Sequence, residues 1–284
     1  PHTSAGRIPT AQAFRIYLDT TFKPVPMPAH RQQSLVRHLE SGGLEMAQVL
    51  TQASRILSQL SNQISMVLAP KRADVRWREI DFNLIKPKLV LAVLVLEGGI
   101  VQNRLLEVDE DISPEDLEKY RNYLNDHYAG MTLAEARINL LNELAGAKQR
   151  LSSLYKKALR LAHHTVEGVE TRDVFVEGTM NLFEHSEFSS LERMREILTL
   201  VEERSQLLEL LDKAISAQDG AKVTLGGEND DQLTGCSLVS SSYGGNRPLG
   251  VVTVIGPMRM DYANVIPAVD YVAQALTHVL KERF

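Results

Sequence analysis

Strand-forming segments stand on both sides of one long helical block in this 284-residue chain, and that order limits the fold more than its composition does. Arg76 to Leu84 and Pro87 to Leu96 read as strands. In the second, Leu89, Leu91, Val93 and Val95 alternate with Val90, Ala92, Leu94 and Leu96. Both faces are apolar, which predicts a central strand covered on both sides. Gly98-Gly99 turns it into Ile100 to Val108, making a hairpin. Far along the chain, a run at Val174 to Val176 and short segments at Lys222 to Leu225, Ser237 to Tyr243 and Gly250 to Ile255 are separated by glycine turns.

Helical spacing fills the rest. Thr10 can cap a short helix through Leu18, and the alternating prolines of Lys23 to Pro28 force an extended linker. Leu44 to Leu68 repeats apolar residues at helical intervals up to Pro70. Ser113-Pro114-Glu115-Asp116 opens a helical block that reaches about Val166. Within it Leu140, Leu144, Ala147, Leu151, Leu154, Ala158 and Leu161 step alternately by four and three, an apolar seam of helix-packing type. Such a seam suits contact between subunits or a bundle face within the chain, where the helix from Ser189 would be its partner. Further helices span Ser189 to Ala217 and Tyr262 to Leu280. The pattern predicts one α+β domain interrupted by an insertion, with the hairpin near residue 95 and the strands near residues 224, 240 and 253 in one antiparallel sheet.

Charge and chemistry narrow the function. Residues 1–40 hold Arg7, Arg15, Lys23, Arg31 and Arg37 against Asp19 and Glu40, a balance of +3. The whole chain carries −5, so the remainder carries −8, and an acidic body repels nucleic-acid phosphates. Contact with DNA is therefore expected at or before the N-terminus. The longest apolar run, Leu89 to Leu96, is too short to cross a bilayer, and the single Cys236 suits a reducing, cytoplasmic compartment. No catalytic arrangement emerges. Gly226-Gly227-Glu228-Asn229 lacks the Lys-Ser/Thr of a phosphate loop, and Ser240-Ser241-Ser242 lacks a nucleophile elbow. His163 and His164 with Glu167 and Glu170 form a poor metal set, because adjacent helical residues point about 100° apart. Neither enzyme activity, nor a metal, nor a cofactor is expected.

Two segments carry a more specific signal. Pro1-His2-Thr3-Ser4-Ala5-Gly6-Arg7-Ile8-Pro9-Thr10 resembles the end of the winged helix-turn-helix domain of the heat-inducible transcription repressor HrcA family. Gly250 to Tyr262, including Gly256-Pro257-Met258-Arg259-Met260-Asp261, and its continuation Val265 to Tyr271 resemble that family's C-terminal signature. The resemblance implies an N-terminal DNA reader, a GAF-like domain and a dimerising domain inserted into it. It also implies repression of chaperone operons by a homodimer on an inverted repeat, the CIRCE element, with activity maintained by the chaperonin GroEL. The recognition helix would lie ahead of Pro1.

The expected division is a wing remnant and linker at 1–28, GAF-like parts at 29–110 and 172–284, and the inserted dimerisation domain at 111–171. His2, Thr3, Ser4 and Arg7 align with the wing, where they would position the protein on the DNA backbone or simply complete the turn. Leu140, Leu144, Leu151, Leu154 and Leu161 are the expected dimer seam. A GAF-like fold also leaves open a second function, a small-molecule-sensing regulatory module. Asp261 is expected to cap the last helix.

Overall fold

The computed structural model describes residues 11–20, 22, 26–43, 45–109, 111–146, 153–166, 172–184, 191–215, 220–226, 235–245 and 248–283. In chain order the described elements are α1 (Ala11–Thr20), α2 (Ala29–Glu40), α3 (Met46–Ser61), β1 (Ile64–Leu68), β2 (Trp77–Lys86), β3 (Leu89–Leu96), β4 (Val101–Glu107), α4 (Pro114–Tyr128), α5 (Leu133–Gly146), α6 (Ser153–Val166), β5 (Val174–Glu177), α7 (Leu191–Glu202), α8 (Arg204–Ala214), β6 (Lys222–Leu225), β7 (Cys236–Tyr243), β8 (Gly250–Pro257) and α9 (Tyr262–Arg283). The class is α+β. Two compact units divide it: residues 1–43, 47–69 and 173–282 form one, and residues 44–46, 70–172 and 283–284 the other.

The first unit is built on a five-stranded antiparallel sheet in the order β5-β1-β8-β7-β6. Alternation along the strands sends Ile64, Met66, Leu68, Leu238, Val251 and Ile255 to one face, where Ile197, Leu200, Leu207 and Leu211 of α7 and α8 cover them. The opposite face, where Val67, Val239, Val252 and Val254 are fully buried, meets α3 and α9, and polar groups add to that apolar contact. Ser54 Oγ donates to Ser65 O at 2.9 Å, Ser241 Oγ lies 3.4 Å from Asp270 Oδ1, and Gly244 N donates to Thr277 Oγ1 at 2.9 Å. Both faces of β1 and β8 are thus buried, as their unbroken burial requires.

The second unit has its own three-stranded sheet, β2-β3-β4, with α4, α5 and α6 on one face. The single antiparallel sheet expected from the sequence is therefore two sheets, and the insertion begins at Pro70 rather than residue 111. The hairpin could not reveal this, since an antiparallel strand pair is self-contained in sequence and carries no mark of which sheet it joins. Nor is β3 covered on both sides: Val90, Ala92, Leu94 and Leu96 are buried, while Leu89, Leu91, Val93 and Val95 remain half-exposed.

Two of the expected helices are shorter in the structure. The helical pattern of Leu44 to Leu68 breaks at Asn62, which takes a left-handed φ of 53°, and Ile64–Leu68 becomes an inner strand of the sheet. The segment from Ser189 to Ala217 divides at Glu203 into α7 and α8. The polar helix α2, which buries Leu35 and Leu39, carries too narrow an apolar stripe to stand out in sequence. By contrast Ser113 caps α4 as expected, its Oγ accepting from Asp116 N at 3.1 Å.

The edge of β2 is closed by main-chain mimicry. Asn125 of α4 accepts from Ile80 N at 2.8 Å through Oδ1 and donates to Ile80 O at 3.0 Å through Nδ2. Further along the edge, Trp77 N donates to Met131 O, Gly130 N to Trp77 O, and Leu133 N to Val75 O. An edge that would otherwise pair with another chain is so occupied. The next helix, α5, opens on a capping box, in which Thr132 and Glu135 bond each other's backbone amides.

Behind Asn125, Tyr128 is 1% exposed and stacks on Trp77 with ring centroids 5.8 Å apart. Its hydroxyl has no partner in hydrogen-bonding geometry. Burial first, and the nearby Glu143 carboxylate second, raise its pKa far above the usual 10.0. An unpartnered buried hydroxyl costs about 1–3 kcal/mol, so Tyr128→Phe is expected to leave stability unchanged or increase it. The unfolded phenol ionises near its ordinary value while the folded one does not, so stability is full below about pH 10 and falls as pH rises beyond it. Urea unfolding at neutral and alkaline pH checks both points: the Phe variant should lose part of that alkaline decline, and a loss of stability at pH 7 would contradict the assignment.

Candidate functional site

The residues singled out from sequence fare differently. His2, Thr3, Ser4 and Arg7 lie outside the described residues, as do Leu151 and the side chain of Leu154. Leu140 and Leu161 are 0% and 4% exposed within the single chain, and Leu144 packs against the same core as they do, with Leu106, Leu117 and Tyr120. The described part of the seam is thus an internal face. Its partners are the sheet and α4, not the helix from Ser189, and Leu140 and Leu161 have no surface left for a second subunit. In the last turn of α6 His163 is half-buried and His164 exposed, and among the described residues no group of three or more His, Cys, Asp or Glu could hold a metal.

The C-terminal signature forms a definite site. Each of its glycines answers a close approach. A Cβ on Gly250 would stand 2.1 Å from Leu68 O and 2.6 Å from the Tyr243 hydroxyl, which itself donates to Leu68 O at 2.8 Å. A Cβ on Gly256 would stand 2.4 Å from Gln63 Oε1. Strand β8 consequently lies tight against β1 and delivers Pro257 to Asp261 beside the end of α3. The Tyr262 hydroxyl, 2.9 Å from both Ser237 Oγ and Met258 O, pins the loop to the sheet.

Between this loop and the end of α3 is a cavity of about 430 Å³, lined by Leu60, Asn62, Gln63, Arg259, Asp261 and Asn264 among others. Its groups are amides, one guanidinium, one carboxylate and the Ser61 hydroxyl, which is turned to the Leu57 carbonyl, a set that suits hydrogen bonding. Asn62 Nδ2 donates to Glu184 Oε2 at 2.8 Å, and Asn264 Nδ2 to Asp261 Oδ2 at 2.6 Å. Asp261 stands at the head of α9, but its carboxylate takes the Asn264 side chain, while its carbonyl accepts from Val265 N. The expected side-chain cap is not made.

A second groove shares Leu60 and Asn264 with the cavity. Pro26, Met27, Pro28 and Arg31 line one side of it, and Ala263, Pro267 and Ala268 of α9 line another. Pro267 has no N–H for the Ala263 carbonyl one turn back, so that helical hydrogen bond is missing from α9. Upstream, Arg15 Nη2 of α1 donates to Val223 O of β6 at 3.0 Å. That bond ties the N-terminal helix to β6. Sequence reasoning identified the signature but missed Asn62, Gln63 and the connector groove; the chain-reversing Ser61-Asn62 before an apolar run was the available cue.

Residues 47–266 match the family description "HrcA protein C terminal domain". The chain is 44% identical over 289 residues to a heat-inducible transcription repressor HrcA of Nitratidesulfovibrio vulgaris, covering all of this chain and 81% of the relative. It is 37% identical to the repressor of that name from Syntrophobacter fumaroxidans and 36% to that from Geobacter sulfurreducens, each over 99% of this chain and 82% of the relative. A crystal structure of a hypothetical protein superposes with a TM-score of 0.60 at 20% identity, over all of this chain and 82% of that one, a likeness of fold.

Gly250 faces a backbone carbonyl that cannot swing aside, so Gly250→Ala should destabilise the chain by about 1–3 kcal/mol, as overpacking does. Gly220→Ala is the control: it has a positive φ of 98° but nothing within 4 Å, so its cost should come from the backbone alone. Thermal unfolding of both variants ranks them; an unaffected Gly250→Ala would mean that β8 does not lie so close to β1.

Proposed function

This chain belongs to the HrcA family of heat-inducible transcription repressors, and on that premise we propose that it represses chaperone operons as a homodimer on the inverted-repeat CIRCE operator, with GroEL maintaining its activity. The observation that carries the reading is similarity across the whole chain to repressors of that name, including 44% identity over 289 residues. The residues from 41 onward supply regulation and self-association rather than DNA contact, in keeping with their balance of −8. His2, Thr3, Ser4 and Arg7 are the wing segment that touches the DNA backbone, with the Arg7 guanidinium as the main phosphate donor. The five-stranded sheet with helices on both faces is the GAF-like regulatory domain, and the unit of Pro70–Arg172 is the dimerising insertion.

A two-fold operator needs a two-fold protein. With Leu140, Leu144 and Leu161 of the seam packed inside the unit, the self-association surface is the open face of β2-β3-β4. There Leu89, Leu91, Val93 and Val95 stand half-exposed, and Val101 of the flanking strand is 57% exposed. Val93→Glu is expected to produce folded monomers in sedimentation, with an unchanged circular dichroism spectrum. An intact Val93→Glu dimer would place the subunit contact elsewhere.

The regulatory reading has its own test. A reporter whose promoter carries the inverted repeat should be silent while this repressor and GroEL are present, and should rise at least about tenfold when either is depleted. Unchanged expression on depletion of the repressor would reject repression, and unchanged expression on depletion of GroEL alone would reject the chaperonin link.

A further inference from the structure

The unit of Pro70–Arg172 carries a cavity of about 330 Å³ between the end of β4, the residues Val108, Asp109 and Ile112, and one face of α6. Its floor is apolar. Leu106, Ile112 and Leu161 line it, each less than a tenth exposed. Lys157, Arg160 and His164 form the wall, spaced three and four residues apart and so on one face of α6. Arg104 of β4 reaches across to them. Its Nη1 donates to His164 O, and Gln102 Nε2 donates to Thr165 O at 3.1 Å, so β4 holds the last carbonyls of α6 and fixes the wall to the floor. Glu107 and Asp109 lie exposed among the remaining lining groups.

Helix electrostatics does not explain this placement. Positive charges favour the last turn of a helix, which accounts for His163 and His164, but Lys157 lies in the first half of α6 and Arg160 in its middle. Like charges three or four residues apart on a helix cost a few tenths of a kcal/mol, and a chain of net charge −5 has no general surplus of cations to scatter. Permanent cations from α6 and β4 along one wall of an apolar-floored hollow, three against the two carboxylates of Glu107 and Asp109, are complementary to a small molecule with one anionic head and an apolar body. The volume falls at the lower end of ligand-sized pockets. A carboxylate matches the two-pronged donor of a guanidinium.

We propose that this cavity is a binding site for a small amphipathic carboxylate, its head held by Arg160, Lys157 and Arg104 and its alkyl body lying on Leu106, Ile112 and Leu161. The site is separate from the signature cavity and from any pocket of the five-stranded unit, so it gives the insertion a sensing role of its own.

Calorimetric titration of the 284-residue chain with decanoate, kept below its micelle concentration, tests this, with decanol and acetate as probes lacking the head or the body. Saturable one-to-one decanoate binding is expected, with decanol and acetate each about tenfold weaker or worse. Arg160→Glu combined with Lys157→Glu should abolish it at an unchanged melting temperature without ligand. Should that pair disturb folding, Arg160→Gln should still weaken decanoate severalfold and leave decanol unaffected. No saturable decanoate binding, equal binding of decanol, or undiminished binding by the charge variants would each overturn the proposal.

Discussion

The architecture hangs on one antiparallel pairing. Strands β1 and β5 lie side by side from Leu68↔Val174 to Ser65↔Glu177, and just beyond them Ala69 N donates to Asp173 O at 2.9 Å. The chain leaves the first unit at Ala69 and returns at Asp173, a hydrogen bond away. Everything from Pro70 to Arg172 is in effect the loop of a β-hairpin. Closing a loop costs entropy that grows only slowly with its length, about 0.6 kcal/mol for each doubling, and an insertion that folds on its own core can present its ends close together. A full unit fits there without disturbing the host sheet, because the host requires only those two adjacent ends.

The same strand, β1, also sets the signature. It lies between β5 and β8, buried along its whole length, and β8 must approach it so closely that Gly250 and Gly256 leave no room for a Cβ. Where β8 ends, the chain passes through Pro257 to Asp261 into α9, whose start carries both the polar cavity and the groove for Pro26–Pro28. Pro26, Met27 and Pro28 thus share that groove with residues of the C-terminal signature rather than lining a distant surface.

The inserted unit treats its two sheet surfaces oppositely. The edge of β2 is sealed by Asn125 and by the backbone of Gly130, Met131 and Leu133, so its main-chain groups have partners inside the chain. The face of β3 turned away from the helices keeps four aliphatic residues only half covered. Sealing an edge while leaving a face open prevents strand addition yet permits face-to-face association, where side chains rather than backbone select the partner.

Much of this was legible in the residues. The α+β class, the capped start at Ser113, the Gly98-Gly99 hairpin, the short strands β6, β7 and β8, and the membership announced by Gly250 to Tyr262 all follow from local propensity or a distinctive run of side chains. What local pattern could not fix is partnership. Leu140, Leu144 and Leu161 carry a helix-packing period, but a period does not name its partner, and only the folded chain turns that face onto β2-β3-β4 and α4. Ile64 to Leu68 satisfied helical spacing and became a strand because Asn62 reversed the backbone and β8 and β5 offered hydrogen bonds on both sides. Likewise the cations of α6 and Arg104, distant in sequence, became one wall only when β4 capped that helix. Sequence determines which elements form, because propensity and capping act within a few residues; tertiary structure decides which faces meet, because burial is settled between segments that the chain itself keeps far apart.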